Sequence, residues 1–448
     1  MSRRQGEEPR AGITRRSFLG GGAALAALGA AGVGWAKRPG TEFETILLYS
    51  ESVAFDGPGT RMLVPTGSAD LVVPGTRVLG GILEQTRLLD EESAWLARSA
   101  AWTLPDEAAG PAGDLTQQAL LDIRSLLLPN GASVAAWSPR WRYTWPRDGS
   151  HVAAALSAAG HHAEALGVLT FLQGVQSRDG WFEARYLPDG LGVPDDRERQ
   201  LDGVGWVLWA CGRLVGRRDA DLVRSDLESL STMMNRSLAL SLASIENPDH
   251  LPPVSPDYWE VRETRLTLGV AAPLLAGLHG AVAAFGALGD VRSRDAALRG
   301  AEQLAAAIHS RFGVDGYPRH LGGADRCTSV AFLMPPYVPD SPPAVFEAFD
   351  LARTELRRPA GGLAPGAGWK RDGISWTPET AAFAMAAAGS GRQDYARTTL
   401  RWLADHRTAV GSLPEKVLHD GSPAAVAPLA WTAANVVLAV DALLPSGT

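Results

Sequence analysis

The sequence predicts an all-α fold, an (α/α)6 barrel of six helical hairpins preceded by a short extended or β segment. Three observations predict it. From Leu115 onward, apolar residues recur at helical spacing, as in Val204, Val207, Leu208, Cys211, Leu214 and Val215. Helices that begin near 148, 202, 266, 327, 377 and 427 are rich in small residues and apolar on every side. They alternate with helices near 115, 162, 219, 291, 342 and 392, among which lie runs such as Arg217, Asp221, Arg224, Asp226 and Glu228. A helix apolar all round is buried, and a half-charged one faces solvent. Inner helices ringed by outer ones make a barrel, and an open right-handed superhelix is the competing layout.

The elements follow in order. Arg15 and Arg16 precede Phe18-Leu19 and a Gly/Ala/Leu run to about Gly34, the pattern of a twin-arginine export signal over residues 1–40. The run is marginal for spanning a membrane. Val33-Gly34-Trp35-Ala36 is a poor cleavage site, so an uncleaved anchor is the one membrane association left open. Residues 41–110 read as an extended segment and a linker helix. Thr45–Tyr49, Arg61–Val64 and Leu71–Val73 are short apolar runs punctuated by Pro and Gly. A helix follows over about Gly81–Ala101. The barrel occupies 111–448. Asp219 is placed to cap a helix, and Ser341-Pro342 and Thr377-Pro378 each put a capping residue before a proline.

Composition narrows the function classes. The 448 residues carry a net charge of −7 and 14 tryptophans, with no basic run after the N-terminus. That argues against nucleic acid as a partner and favours a neutral substrate. Cys211 and Cys327 are too few for a disulfide scaffold and read as two buried thiols. No His/Cys cluster has metal spacing, and no cofactor is expected.

The chemistry-bearing residues sit in the loops before the inner helices, whose N-terminal ends share one face of a barrel. Before the first lie Trp141, Tyr143, Trp145, Arg147 and Asp148. Asp202 opens the second, and Asp257, Trp259 and Glu260 precede the third. Arg326 precedes the fourth, Trp376 the fifth, and Glu415 the sixth. Aromatic rings stack on the CH faces of sugars, and an Arg–Asp clamp grips hydroxyls. Two separated carboxylates suit glycoside hydrolysis, one protonating the leaving oxygen and the other activating water. Trp259 beside Glu260 is expected to desolvate that carboxyl and raise its pKa, as an acid requires. Each carboxylate taken singly is also compatible with a surface or helix-cap role.

Several motifs occur in one order: Trp145-Pro146-Arg147-Asp148, Gln200-Leu201-Asp202-Gly203, Asp257-Tyr258-Trp259-Glu260, Leu413-Pro414-Glu415 and Pro428-Leu429-Ala430-Trp431. Over about residues 115–445 the chain resembles glycoside hydrolase family 15, which contains glucoamylases, glucodextranases and some bacterial trehalases. The resemblance implies an (α/α)6 barrel and an inverting mechanism acting on α-glucans or α-glucosides. It places Glu260 on the general acid, Glu415 on the general base, and Arg147 and Asp148 on the pair that grips the terminal glucose. Val261 stands where many glucoamylases have a second Glu, and Trp141 where many relatives have Tyr. The segment before the barrel has room only for a remnant of the β-sandwich usual in bacterial members. A glycan phosphorylase on the same barrel would need no base carboxylate. A non-catalytic glycan-binding barrel would need neither.

Overall fold

A computed structural model describes residues 43–99 and 113–444. The expected export signal, and residues 100–110 of the expected linker region, lie outside the described residues.

The chain enters through an antiparallel hairpin, β1 (Ser52–Gly57) and β2 (Thr60–Val64). The expected strand at Thr45–Tyr49 contributes a single bridge from Leu48 to Ala425. Leu71 ends a short 3-10 turn, and Val72 bridges Leu79. Helix α1 (Gln85–Ala97) is shorter than the expected 81–101 span.

Eleven expected helix starts are met within about three residues, close to the usual uncertainty at helix ends. The barrel helices begin with α2 (Leu115–Leu126), α3 (Pro146–Ala158), α4 (His162–Val175) and α5 (Asp202–Leu214). Then come α6 (Ala220–Ser229), α7 (Ser231–Ser244), α8 (Leu268–Leu288) and α9 (Val291–Arg311). After α10 (Pro343–Glu355), β3 (Ser375–Trp376) leads into α11 (Thr377–Gly389) and α12 (Gln393–Asp405). The short strands β4 (Lys416–Val417) and β5 (Pro423–Ala424) precede α13 (Ala430–Leu443). The Asp219 carboxylate caps α6 as expected, accepting from the N–H of Asp221 and Leu222. The other two expected caps differ. Ser341 donates to the Leu333 carbonyl, and Thr377 donates to the Glu415 carbonyl across the barrel face.

The fourth inner helix is a correction. The chain from 327 makes only a 3-10 turn, Thr328–Leu333. Pro335 and Pro336 follow, neither with an N–H to give, and the first forces Met334 out of the helical region to φ −115°, ψ 162°. The expected outer helix at 219 is also divided, with Leu230 separating α6 from α7.

The inner elements close a ring: α3 packs on α5, α5 on α8, α8 on the 3-10 turn, that turn on α11, α11 on α13, and α13 back on α3. This closure is a barrel and not an open superhelix. Around it, α2 packs on α13, α4 on α3, α7 on α5, α9 on α8 and α12 on α11. Helix α12 shows the outer pattern, burying Ala396, Leu400 and Leu403 and turning its charges outward. Helices α3, α11 and α13 are buried on almost every face, which their small and apolar residues allow. Gly205 and Gly277 bring α5 and α8 into backbone contact, since a Cβ on Gly205 would lie 2.2 Å from the Pro273 carbonyl oxygen. Cys211 and Cys327 are free and buried, as expected.

The entry segment is stitched to the far end of the chain. Ser50 donates to the Ala427 carbonyl at 2.8 Å, Ser52 shares a hydrogen bond with Ser412 at 2.7 Å, and Thr408 donates to the Glu51 carbonyl at 2.6 Å. Beneath them the Arg77 guanidinium donates twice to Asp122 Oδ1, at 2.8 and 2.6 Å. The same carboxylate accepts from the Ser412 hydroxyl and the Leu413 N–H. A β remnant, an outer helix and the loop before Glu415 thus share one buried junction.

Candidate active site

The N-terminal ends of the inner elements line a cavity of about 430 Å³, inside the range of about 300–1,000 Å³ for small-molecule sites. Nine of the twelve expected site residues face it: Trp141, Tyr143, Trp145, Arg147, Asp148, Trp259, Glu260, Trp376 and Glu415.

Its floor is the first turn of α3. Pro146 opens that turn, which suits a residue with fixed φ and no N–H. Arg147 follows and donates to Asp148 Oδ1 at 2.9 Å, with the guanidinium over the Trp431 ring at 4.4 Å from the centroid. Both side chains are buried, and Arg147 Nη1 has no hydrogen-bond partner among the described residues. Burial pushes the Asp148 carboxyl up, opposed by Arg147. Burial would lower Arg147, but Asp148, Glu260 and Asp202 outweigh it and hold the guanidinium charged.

Glu260 closes a tight turn before α8. Its φ is 55°, a left-handed conformation that costs a non-glycine residue of order 1–3 kcal/mol. Asp257 holds the turn. Its carbonyl accepts the Glu260 N–H at 2.8 Å and its Oδ1 accepts the Trp259 N–H at 2.9 Å. Arg319 grips the Asp257 carboxylate from behind with two bonds of 2.7 and 2.9 Å, and Thr267 adds a third donor at 2.8 Å. Gly269 leaves room for that carboxylate, because a Cβ there would lie 2.3 Å from Asp257 Oδ2. The Arg319 guanidinium lies 3.7 Å from the Trp259 ring centroid, and Trp369 meets the same ring edge-on. Trp259 is thereby engaged by Arg319 and Trp369. The polar partners of the Glu260 carboxylate are instead Trp145 Nε1 and the Arg197 guanidinium.

Glu415 reaches the cavity from another direction. It precedes β4, which pairs with β3 on one side and β5 on the other. Its N–H donates to the Val426 carbonyl at 2.8 Å, and its own carbonyl accepts the Thr377 N–H at 3.0 Å. Trp141 Nε1 donates to Glu415 Oε1 at 3.2 Å, and Lys416 Nζ lies 3.4 Å from Oε2. Lys416 also sits 4.2 Å from the Trp376 ring centroid.

Three expected site residues do not face the cavity. Asp202 and Asp257 are completely covered, at 1% and 0% exposure, and act on the cavity from beneath. Burial, opposed by Arg147, pushes the Asp202 carboxyl up to about 7, and the carboxylate accepts from Trp206 Nε1. Arg326 is a correction. The loop doubles back where the Arg319 N–H meets the Asp325 carbonyl at 2.7 Å, and Arg326 leaves outward to Glu355 on α10 and the Gly316 carbonyl. The arginine that serves this side of the cavity is Arg319. Its signal in the sequence was the same loop, seven residues earlier.

The cavity also contains residues outside the expected site set, of which Arg140, Arg185 and Arg197 had no signal in the motifs. Arg185, Arg197 and Arg140 line its polar rim. Arg185 lies over the Tyr143 and Trp145 rings at 4.7 and 5.1 Å, with Asp195 as its ion-pair partner. Tyr258, Trp369, Lys416 and Trp431 complete the walls. Glu379, in the first turn of α11, is a fourth carboxyl facing the cavity beside Asp148, Glu260 and Glu415, only 3% exposed. A single glutamate in an otherwise apolar helix was the signal that could have found it.

No family model matches the chain. It is 26% identical over 341 residues to an isomaltose glucohydrolase of Kribbella flavida, covering 67% of this chain and 84% of that protein. A second match, 34% identical over 110 residues, is to an uncharacterized glycosyl hydrolase of Methanocaldococcus jannaschii; it covers 23% of this chain and only 17% of that protein. Among solved structures, a glycosidase superposes with a TM-score of 0.64 at 22% identity, over 78% of this chain and 98% of the other. A bacterial glucoamylase complexed with acarbose gives 0.61 at 16%, over 80% of this chain and 58% of the other. Glucoamylase from Saccharomycopsis fibuligera gives 0.56 at 14%, over 80% and 95%. The fold matches the glucoamylase barrels over about 80% of the chain.

Proposed function

We propose that this chain, a glycoside hydrolase on the glucoamylase barrel, releases glucose by inversion from the non-reducing ends of α-glucosides. One observation carries the reading: Glu260 and Glu415 come from separate elements to one aromatic-walled cavity whose floor is the Arg147–Asp148 pair. Arg147 and Asp148 hold hydroxyls of the terminal glucose. Glu260 gives its proton to the glycosidic oxygen as the C1–O bond breaks. A water attacks C1 from the opposite face, forming the new C–O bond and passing its proton to Glu415. Aromatic rings that already donate to both carboxylates fix their directions before substrate arrives. A general acid has to carry a proton, so the Arg197–Glu260 ion pair opens when substrate enters. The twin-arginine segment supports action outside the cytoplasm. The relative named for isomaltose supports an α-1,6 disaccharide as the first substrate to try, beside maltose, trehalose, starch and dextran.

Proton NMR of the first sugar formed tests the mechanism. An α-linked substrate gives β-glucose before mutarotation. First-formed α-glucose would sink the assignment of Glu415 as the residue that activates water.

A second outcome concerns the floor. Arg147→Lys keeps the charge but loses the planar fork that holds Asp148 and the sugar together. Loss of a charged hydrogen bond is worth about 1.5–3 kcal/mol, so kcat/KM falls on the order of 10- to 100-fold, with the circular dichroism spectrum unchanged. Unaltered kinetics would remove Arg147 from the sugar subsite.

A further inference from the structure

Glu379 takes no part in the mechanism above, yet it faces the same cavity. It is the one charged residue in α11, whose other residues are Thr, Pro, Ala, Phe, Met and Gly. A buried carboxyl that serves only the fold is expected to find a hydrogen-bond partner. Glu379 Oε2 is buried and has none among the described residues. We propose that Glu379 binds the sugar directly, with Oε2–H donating to a hydroxyl oxygen of the glucose held over Arg147. This rests on the reading of the cavity as a sugar pocket. Glu379 is then, like Asp148, a carboxyl of the site that neither protonates the leaving oxygen nor activates the water.

The surroundings explain how a carboxyl can donate. Burial pushes Glu379 up to about 8, opposed by the Arg147 and Lys416 charges and reinforced by Glu415. Asp148 on α3 and Glu260 across the cavity share the site. From α12, the buried residues Ala396, Thr399, Leu400, Leu403 and Ala404 bring no charge, and neither do Trp431 and Asn435 of α13. Glu379 is therefore neutral at pH 7, where an acid hydroxyl can donate and no second anion stands against the Glu415 carboxylate. As pH rises through about 8 it ionises. The donor is lost and two carboxylates face each other, so sugar affinity falls on the alkaline side.

The test is binding of glucose to the full chain, followed by NMR titration from pH 6 to 9, with glucose release measured in parallel. Wild type loses affinity above about pH 8. Glu379→Gln keeps a donor that cannot ionise, so it binds near wild-type strength at pH 7 and holds that affinity to pH 9. Glu379→Leu binds on the order of 10-fold more weakly than wild type at pH 7 and shows no alkaline fall of its own, with a larger effect on KM than on kcat. Both variants are checked by thermal melting, and an unfolded Glu379→Leu leaves the pH profile of Glu379→Gln to decide. Wild-type glucose affinity in Glu379→Leu, or an alkaline fall in Glu379→Gln identical to wild type, overturns the proposal. Glucose binding without release of glucose from any glucoside would instead overturn the hydrolase reading and leave that of Glu379 standing. A wild type that binds no glucose overturns both.

Discussion

Glu415→Gln loses about 10²–10⁴-fold in kcat on natural glucosides and still binds glucose. Glutamine has nearly the same volume and can still accept the hydrogen bond that Trp141 Nε1 gives to Oε1. The backbone around position 415 is fixed by Val426 and Thr377, so the loop keeps its place. What is lost is a group able to take the proton of the attacking water. A β-glucosyl fluoride bypasses that need, because fluoride leaves from the face the water would have used while a water on the other face bonds to C1 and gives its proton to ionised Glu260. Slow turnover of the fluoride with no turnover of isomaltose or maltose is the expected pair of results. Retained activity on the natural substrates would mean that another group activates the water, and Glu415 would lose its role.

Asp122→Ala is expected to cost about 3–5 kcal/mol of stability. Arg77 and Asp122 are both fully covered, at 0% side-chain exposure. Removing the carboxylate leaves a buried guanidinium without its charge partner, and the Gln118 side chain offers it only a neutral acceptor. The expected result has a second half. Asp122 also receives the Ser412 hydroxyl and the Leu413 N–H, two residues before Glu415. The loop that carries Glu415 therefore loosens along with the junction. Urea unfolding reads the first effect, and kcat at a temperature where the variant is still folded reads the second. An unfolding midpoint equal to wild type would show that the pair adds nothing to stability. A lowered midpoint with unchanged kcat would show that Leu413 does not need Asp122 to hold the loop.

Much of the fold was legible because burial writes itself into composition. Helices such as α3, α11 and α13, covered on nearly every face, have to be small and apolar, and α12 has to be two-sided. The turn at 328–333 was not legible in that way. Val330, Ala331, Phe332 and Leu333 are all buried, so their apolarity looked the same as that of a helix, and only the prolines after them carried the difference. At the site, aromatic and charged clusters before inner helices pointed correctly to the cavity. They could not tell which charges face it and which stand behind. Asp257 and Arg319 form a pair 62 positions apart, invisible to local spacing, while Arg326 belongs to the same charged loop but leaves toward α10. The pairing of Glu260 with Arg197 and not with the adjacent Trp259 depends on the left-handed turn at 260.

The stitching of the entry segment to the far end of the chain bears on how the protein comes into being. Ser50 meets Ala427 across 377 positions, and Ser52 meets Ser412 across 360. Contacts so remote in sequence form late, because the entropy of closing the loop is lost before the contact repays it. During synthesis the first strand has no partner for its seam until nearly the whole barrel has been made. The hairpins in between can collapse as each one appears, since their contacts are local. The loop before Glu415 is locked only when both the entry segment and residues 412–427 are in hand. The face of the barrel that carries Glu415 is thus among the last parts of this molecule to be completed.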